Sequence, residues 1–220
     1  MNTLLFFVTA VVTFGLLVLI SRVFDKDGIF AWIGMAVVVA NVLVCKSVDL
    51  FGLSATLGNV LFGTVFLATD ILTERYGVKV ARKAVWLGIS MEICTLVLTQ
   101  IAIKFVPNEL DFAHESMQNL FGIFPRIALA SCSMFVFSNQ LDIFLFDWIK
   151  KKTGGKHLWL RNNVATIISQ CIENYLFYVI AFLGVYSMRD IFSMTLVCCV
   201  IEIVVALIDT PFLYVAVKQK

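Results

Sequence analysis

From residue 3 to residue 20 the chain carries no charged side chain, and apolar runs of similar length recur to its end. About 20 consecutive apolar residues in a helix cross a hydrocarbon core roughly 30 Å thick. Inside lipid a segment must satisfy its own backbone N–H and C=O groups, so only helices and closed barrels span. The runs are continuous rather than alternating, which excludes barrel strands. Hydrophobic residues make up 60% of the chain and charged residues 15%, with a mean hydropathy of +0.95. Soluble domains do not keep that balance, so almost none of this chain can be one.

Seven runs predict spans at residues 3–20, 29–45, 50–72, 84–106, 127–148, 164–186 and 191–217. No linker or low-complexity stretch separates them. The expected fold is all-α: a polytopic membrane helix bundle of seven transmembrane helices in a single domain, 1–220. The first run has no basic residue ahead of it and no small-residue cleavage site, and Arg22 follows it; it reads as a retained helix rather than a signal peptide.

Basic residues resist translocation, so they orient the bundle. Arg75, Lys79, Arg82 and Lys83 lie between the third and fourth runs, and Lys150, Lys151, Lys152, Lys156 and Arg161 between the fifth and sixth. Placing both connections in the cytoplasm brings Arg22, Lys26, Lys218 and Lys220 inside as well, 13 of the 17 basic residues. The expected topology has the amino terminus outside and the carboxyl terminus inside, in a bacterial cytoplasmic membrane. The long outer connection carries Glu109, Asp111 and Glu115 among Phe112, Met117, Leu120, Phe121 and Phe124, the loose amphipathic pattern of a short interfacial helix or a cap over the bundle.

Carboxylates at depth are the sharpest functional signal. Glu173 and Glu202 fall near the middle of the last two spans and Glu92 within the fourth. A charge at the bilayer centre costs about 3 kcal/mol on insertion scales, so such groups face the bundle interior. No lysine or arginine lies at matching depth in the sequence. Each acid therefore marks a pathway awaiting a proton or a donor-rich ligand, or makes one structural interhelical hydrogen bond; the residues alone leave both readings open. Asn162, Thr166, Ser169 or Gln170, and Glu173 recur every three to four residues and line one helical face. In the fifth span Arg126, Ser133 and Gln140 share a face, with Ser131, Ser138 and Asp142 on the next. Asp70 and Glu74 are one turn apart near the end of the third span, and Asp209 precedes Thr210-Pro211, where a kink is expected.

Enzymatic signatures are missing. There is no H-E-x-x-H, G-x-S-x-G or Walker lysine loop, and the two histidines, His114 and His157, read as solvated loop residues. The six cysteines lie in apolar runs without C-x-x-C spacing and read as small packing residues. No catalytic residue, metal or cofactor is expected. Transport would draw on a gradient, a partner ATPase or trapping of the substrate.

Four motifs taken together, ATDILTERYG at 68–77, PRIALAS at 125–131, SNQLD at 138–142 and WLRNN at 159–163, resemble the queuosine precursor transporters, also called vitamin uptake transporters. The resemblance runs from Ala31 to the carboxyl terminus, with residues 1–28 as an additional N-terminal helix. It implies a six-helix transport core at 29–220, similar to the substrate-binding subunits of energy-coupling-factor transporters. It also implies uptake of a 7-deazaguanine base (the cyano or aminomethyl form, or queuine) for salvage into transfer RNA modification. Two positions depart from the family pattern: Ser-Gln followed by Asp becomes Ser169-Gln170-Cys171-Ile172-Glu173, and a lysine common in the last span is replaced by Glu202.

The pairing edge of a deazaguanine presents adjacent N–H donors that match one carboxylate in bidentate fashion, which nominates Glu173. The expected substrate set adds Gln170, Gln140, Asp142, Arg126, Asp70, Glu74, Asn41, Asn163 and Ser169, with Tyr175, Phe177 and Tyr178 as stacking rings and Glu202 as a proton or amine site. The expected partners are a small nucleobase-like substrate and the lipid bilayer, with no nucleic acid; a homodimer or an energising partner would suit so small a bundle. Another vitamin-like cargo, or a non-transporting partner subunit, are the alternatives.

Overall fold

Helix α1 (Asn2–Val23) turns directly into α2 (Asp25–Val44) through Phe24. A hairpin of β1 (Ser47–Leu50) and β2 (Leu53–Thr56) leads into α3 (Gly58–Tyr76), followed by α4 (Val78–Ala102), the short α5 (His114–Phe121), α6 (Phe124–Lys152), α7 (Leu158–Phe182) and α8 (Met188–Val217). The computed structural model describes residues 1–50, 53–122, 124–182 and 187–218. Each apolar run overlaps a helix of 19 to 30 residues, although the bounds differ. Among the described residues four helices, Asn2–Val23, Asp25–Val44, Val78–Ala102 and the Cys198–Val217 part of α8, are long and apolar enough to cross a membrane. The chain is a multi-pass helical membrane protein.

Its polarity runs opposite to that of a soluble domain. Leu4, Val8, Val11 and Leu19 of α1 and Trp86, Ile93, Val97 and Leu98 of α4 are all exposed, while Asp70, Asp142, Asn162 and Ser169 have no exposed surface at all. Such an arrangement is stable where the surrounding solvent is hydrocarbon and polar groups find their partners inside.

α3 is the centre of the bundle: it packs against α1, α2, α4, α6, α7 and α8, and 14 of its 19 residues are buried. One face of α1, Phe6, Ala10, Phe14, Leu17, Val18 and Ser21, lies against α2, α3 and α8. The Trp32 indole of α2 donates to the Thr64 hydroxyl of α3 at 2.9 Å. α3 gives way to α4 at Gly77, whose φ of 89° is a conformation other residues rarely adopt.

Three expectations are corrected. The run 50–72 does not begin as a helix. Residues 47–50 and 53–56 pair antiparallel, with Ser47 opposite Thr56 and Leu50 opposite Leu53, and helix begins only at Gly58. Hydropathy alone does not separate a short apolar strand from a helix; the alternation and β-branching of Ser-Val-Asp-Leu and Leu-Ser-Ala-Thr suit the pleat. The connection between the fifth and sixth runs is also shorter than expected. Lys150, Lys151 and Lys152 form the last turn of α6, where cations complement the helix dipole. Arg161 lies inside α7 with 1% exposure instead of in a solvated loop. In the connection between α4 and α6, α5 forms, but it has no buried residue, so it does not act as a packed cap.

Candidate functional site

The polar stripe of α7 turns inward as its spacing predicts: Asn162, Thr166, Ser169 and Gln170 are buried. Opposite it on α6 Ser138, Asn139 and Asp142 are buried, whereas Ser133 is not. Ser133 is exposed and donates to the Leu129 carbonyl of its own helix, Gln140 is partly buried, and the Arg126 side chain lies outside the described residues. A serine facing outward can satisfy its hydroxyl on the preceding turn. Spacing defined two adjacent stripes on α6 without choosing between them; packing against α7 buries the one that holds Ser138 and Asp142.

These side chains meet at the end of the bundle where α3, α6 and α8 finish and α7 begins. The Ser169 hydroxyl donates to Asp142 Oδ1 at 3.1 Å. The Asp142 carboxyl faces that of Asp70 within hydrogen-bonding reach. The Asn162 amide donates to Asp209 Oδ1 at 2.7 Å and to the Thr210 hydroxyl at 3.3 Å, and the Asn163 amide donates to Thr210 at 2.7 Å. Asp70, Asp142 and Asp209 are no more than 1% exposed. Asp209 and Asn162 are absent from the substrate set expected from the sequence. The signal that could have found Asp209 is its place seven residues, or two turns, beyond Glu202 on the same face of α8.

Charge is balanced at the very end of the bundle. Arg161 Nη2 pairs with Glu74 Oε2 at 2.7 Å, and Lys150 Nζ reaches the same oxygen at 2.9 Å. Arg161 Nη1 also donates to the Gly155 carbonyl at 2.8 Å, and its guanidinium lies 5.3 Å from the Phe146 ring centre. Arg161 is also close enough to act electrostatically on Asp70.

Farther along the bundle a second polar layer forms. Ser138 donates to the Ser169 carbonyl at 3.3 Å and hydrogen-bonds Glu173, and Asn174 donates to Glu202. Glu173 and Glu202 interact electrostatically across the α7 and α8 interface. A third layer lies farther still: Glu92 accepts from the Asn41 amide at 2.5 Å and from the Ser131 hydroxyl at 3.3 Å, and the Cys132 thiol lies 2.9 Å away. Asn41 therefore belongs with Glu92, apart from the aspartates. Tyr175 is 41% exposed and does not line the interior; the Tyr178 side chain lies outside the described residues.

Taken together, the aspartate layer holds an excess of acceptors. Both oxygens of Asp70, Asp209 Oδ2, Asn162 Oδ1, Asn163 Oδ1 and Gln170 Oε1 have no hydrogen-bond donor among the described residues. Leaving a buried polar atom unpaired costs about 1–3 kcal/mol, so a constellation of this kind is completed by protons or by a ligand rich in N–H groups. No group of acidic, cysteine or histidine side chains among the described residues is placed to hold a metal ion.

Comparison with known proteins agrees in kind. A family model described as "Putative vitamin uptake transporter" matches residues 56–216. A Bacillus subtilis protein named "Probable queuosine precursor transporter" is 40% identical over 96% of this chain and 92% of its own length, so most of α1 falls within the match. An Escherichia coli protein named "Queuosine precursor transporter" is 26% identical over 65% of the chain and 62% of its own length. A Haemophilus influenzae protein, also named as a probable queuosine precursor transporter, is 26% identical over 60% of the chain and 54% of its own length. No solved structure matches the chain.

Proposed function

The chain belongs to the vitamin uptake transporter family, and we propose that it imports a queuosine precursor, a 7-deazaguanine base, for salvage into transfer RNA modification. It is a transporter rather than an enzyme, with a small-molecule substrate and the bilayer as its surroundings. The observation that carries the choice of cargo is the buried Gln170 Oε1, without a donor among the described residues and one turn from Glu173, with Glu202 facing Glu173 from α8. The pairing edge of a deazaguanine is a row of N–H donors, and one carboxylate accepts two of them.

In this reading Glu173 receives the N–H edge, with Gln170, one turn away on α7, beside the base. Glu202, hydrogen-bonded by Asn174, favours a base bearing a cationic amine over the neutral nitrile. Seven helices span the membrane, the amino terminus lies outside, and the basic end holding Lys79, Lys150 and Arg161 faces the cytoplasm. α1 is an addition to a six-helix transport core formed by α2, α3, α4, α6, α7 and α8, and the protein works as a homodimer or with an energising partner.

The test is restoration of queuosine in transfer RNA of a strain that cannot make the precursor, expressing this protein and supplied with each base in turn. Restoration by the aminomethyl base at the lowest concentration is expected. No restoration by any base, with the protein demonstrated in the membrane, removes the reading. It leaves another vitamin-like cargo or a partner-subunit role, which thermal shifts with a ligand panel then separate.

A further inference from the structure

The facing carboxyls of Asp70 and Asp142 do a task that base recognition leaves unassigned. Two carboxylates offer only acceptors to one another. They can share a hydrogen bond only through a proton held between them, because like charges at that separation cannot both persist away from water. Neither oxygen of Asp70 has a donor from any side chain among the described residues, so a proton held there completes the contact without any further group. Asp142 has its outer support already in place, from Ser169 Oγ at 3.1 Å.

Every charged group facing Asp70 comes from the helices packed around it: Asp142 from α6, Asp209 from α8 and Arg161 from α7. Arg161 stands between two possible acid partners. It now pairs with Glu74, one turn from Asp70 on α3, while its Nε, fully buried, has no acceptor. Glu74 would not be stranded if Arg161 left, because Lys150 already holds the same oxygen at 2.9 Å.

We infer that the Asp70 and Asp142 pair is a proton-binding site that couples base movement to the proton gradient, with Arg161 as the internal cation that replaces the proton. The loaded state carries one proton between the two carboxyls, with Arg161 on Glu74. When the proton leaves toward the basic end of the bundle, the pair gains one negative charge and Arg161 shifts from Glu74 to Asp70 to neutralise it. Arg161 then ties α7 to α3 at Asp70 instead of Glu74, one turn deeper in the bundle, and leaves Glu74 to Lys150 of α6. One proton is taken up on one side and released on the other per cycle, so no further reactant is needed. The inference rests on the transport reading above and adds its energy source.

The experiment uses purified full-length protein in liposomes loaded with 7-aminomethyl-7-deazaguanine, and measures two things separately: exchange of labelled base at equal pH on both faces, and net accumulation driven by an imposed pH difference. With one proton per base, a difference of one pH unit supports about tenfold accumulation. Exchange by the wild-type protein across several pH values, with accumulation only when the outside is more acidic, is expected. Asp142→Asn retains a neutral partner for Asp70, and is expected to show measurable exchange whose pH dependence is flattened and accumulation reduced to the equilibrium ratio of one. Asp70→Asn is expected to do the same. A weakly buffered sample with a pH dye should register proton release on Arg161-competent deprotonation in the wild type and none in Asp142→Asn, which reads out the site even if a variant exchanges slowly. No exchange of any base by the wild type sinks the transport reading itself. Wild-type exchange with pH-driven accumulation that Asp142→Asn and Asp70→Asn leave intact overturns the proton site alone, as does wild-type accumulation indifferent to the pH difference.

Discussion

Arg161→Met removes the buried cation at nearly constant side-chain volume, and its cost follows from what the guanidinium touches. Arg161 is 1% exposed, pairs with Glu74 at 2.7 Å and holds the Gly155 carbonyl at 2.8 Å, which fixes the turn between α6 and α7. Breaking a buried ion pair by removing one partner costs about 3–5 kcal/mol, chiefly because the other charge is left uncompensated. Here Glu74 keeps Lys150 at 2.9 Å, which places the ion-pair loss near the bottom of that range. The lost charge-assisted bond to Gly155 overlaps with it, so the expected total is about 3–4 kcal/mol. Glu74→Gln is expected to cost about 2 kcal/mol, and the double variant to be less destabilised than the sum of the two by about 1–2 kcal/mol. Folded fraction against the mole fraction of sodium dodecyl sulfate in mixed micelles, followed by circular dichroism, measures all four corners of the cycle. A loss below about 1 kcal/mol for Arg161→Met, or strict additivity, would refute the assignment of a buried pair that ties α3 to α7.

Glu173→Gln exchanges one carboxylate acceptor for a donor at similar volume and is expected to lower base uptake at least tenfold with the protein still folded; unchanged uptake in a transport assay would remove Glu173 from the site. Gly63 lies where a Cβ would meet Val205 Cγ1 at 2.6 Å, so Gly63→Ala should destabilise by about 1–3 kcal/mol in the same micelle titration, and Val205→Ala in that background should recover part of the loss. Asn162→Leu withdraws the amide from Asp209 and is expected to cost about 1–3 kcal/mol or abolish folding, read as loss of a monodisperse peak in size-exclusion chromatography. Cysteines placed at Lys79 and Lys152 should resist an impermeant thiol reagent in intact cells and react after permeabilisation; labelling from outside would reverse the proposed orientation.

That the chain is a helical membrane protein could be read from the sequence because hydrocarbon admits few solutions: a continuous apolar run of about 20 residues that crosses it is helical. The motifs carried the family for a similar reason, since four short segments spread over the chain rarely occur together by chance. Even the α7 stripe was legible, because helical spacing alone puts Asn162, Thr166 and Gln170 on one face.

Sequence could not say which stripe of α6 faced which helix, since both stripes have the same period and the choice depends on how α6 is rotated against α7. It separated Arg161 from the membrane by counting it with the loop lysines, and the connection's true length became visible only once α6 ran on through Lys152 and α7 began at Leu158. It listed Asp70, Asp142 and Asp209 on three different helices without showing that they meet, because nothing in the chain specifies distances between residues 67 positions apart that only the packing of α3, α6 and α8 around one another brings together. The local code of helix, strand and charge is set by each segment's own contacts with solvent or lipid; which acids lack donors is a property of side chains from different helices meeting in one small volume.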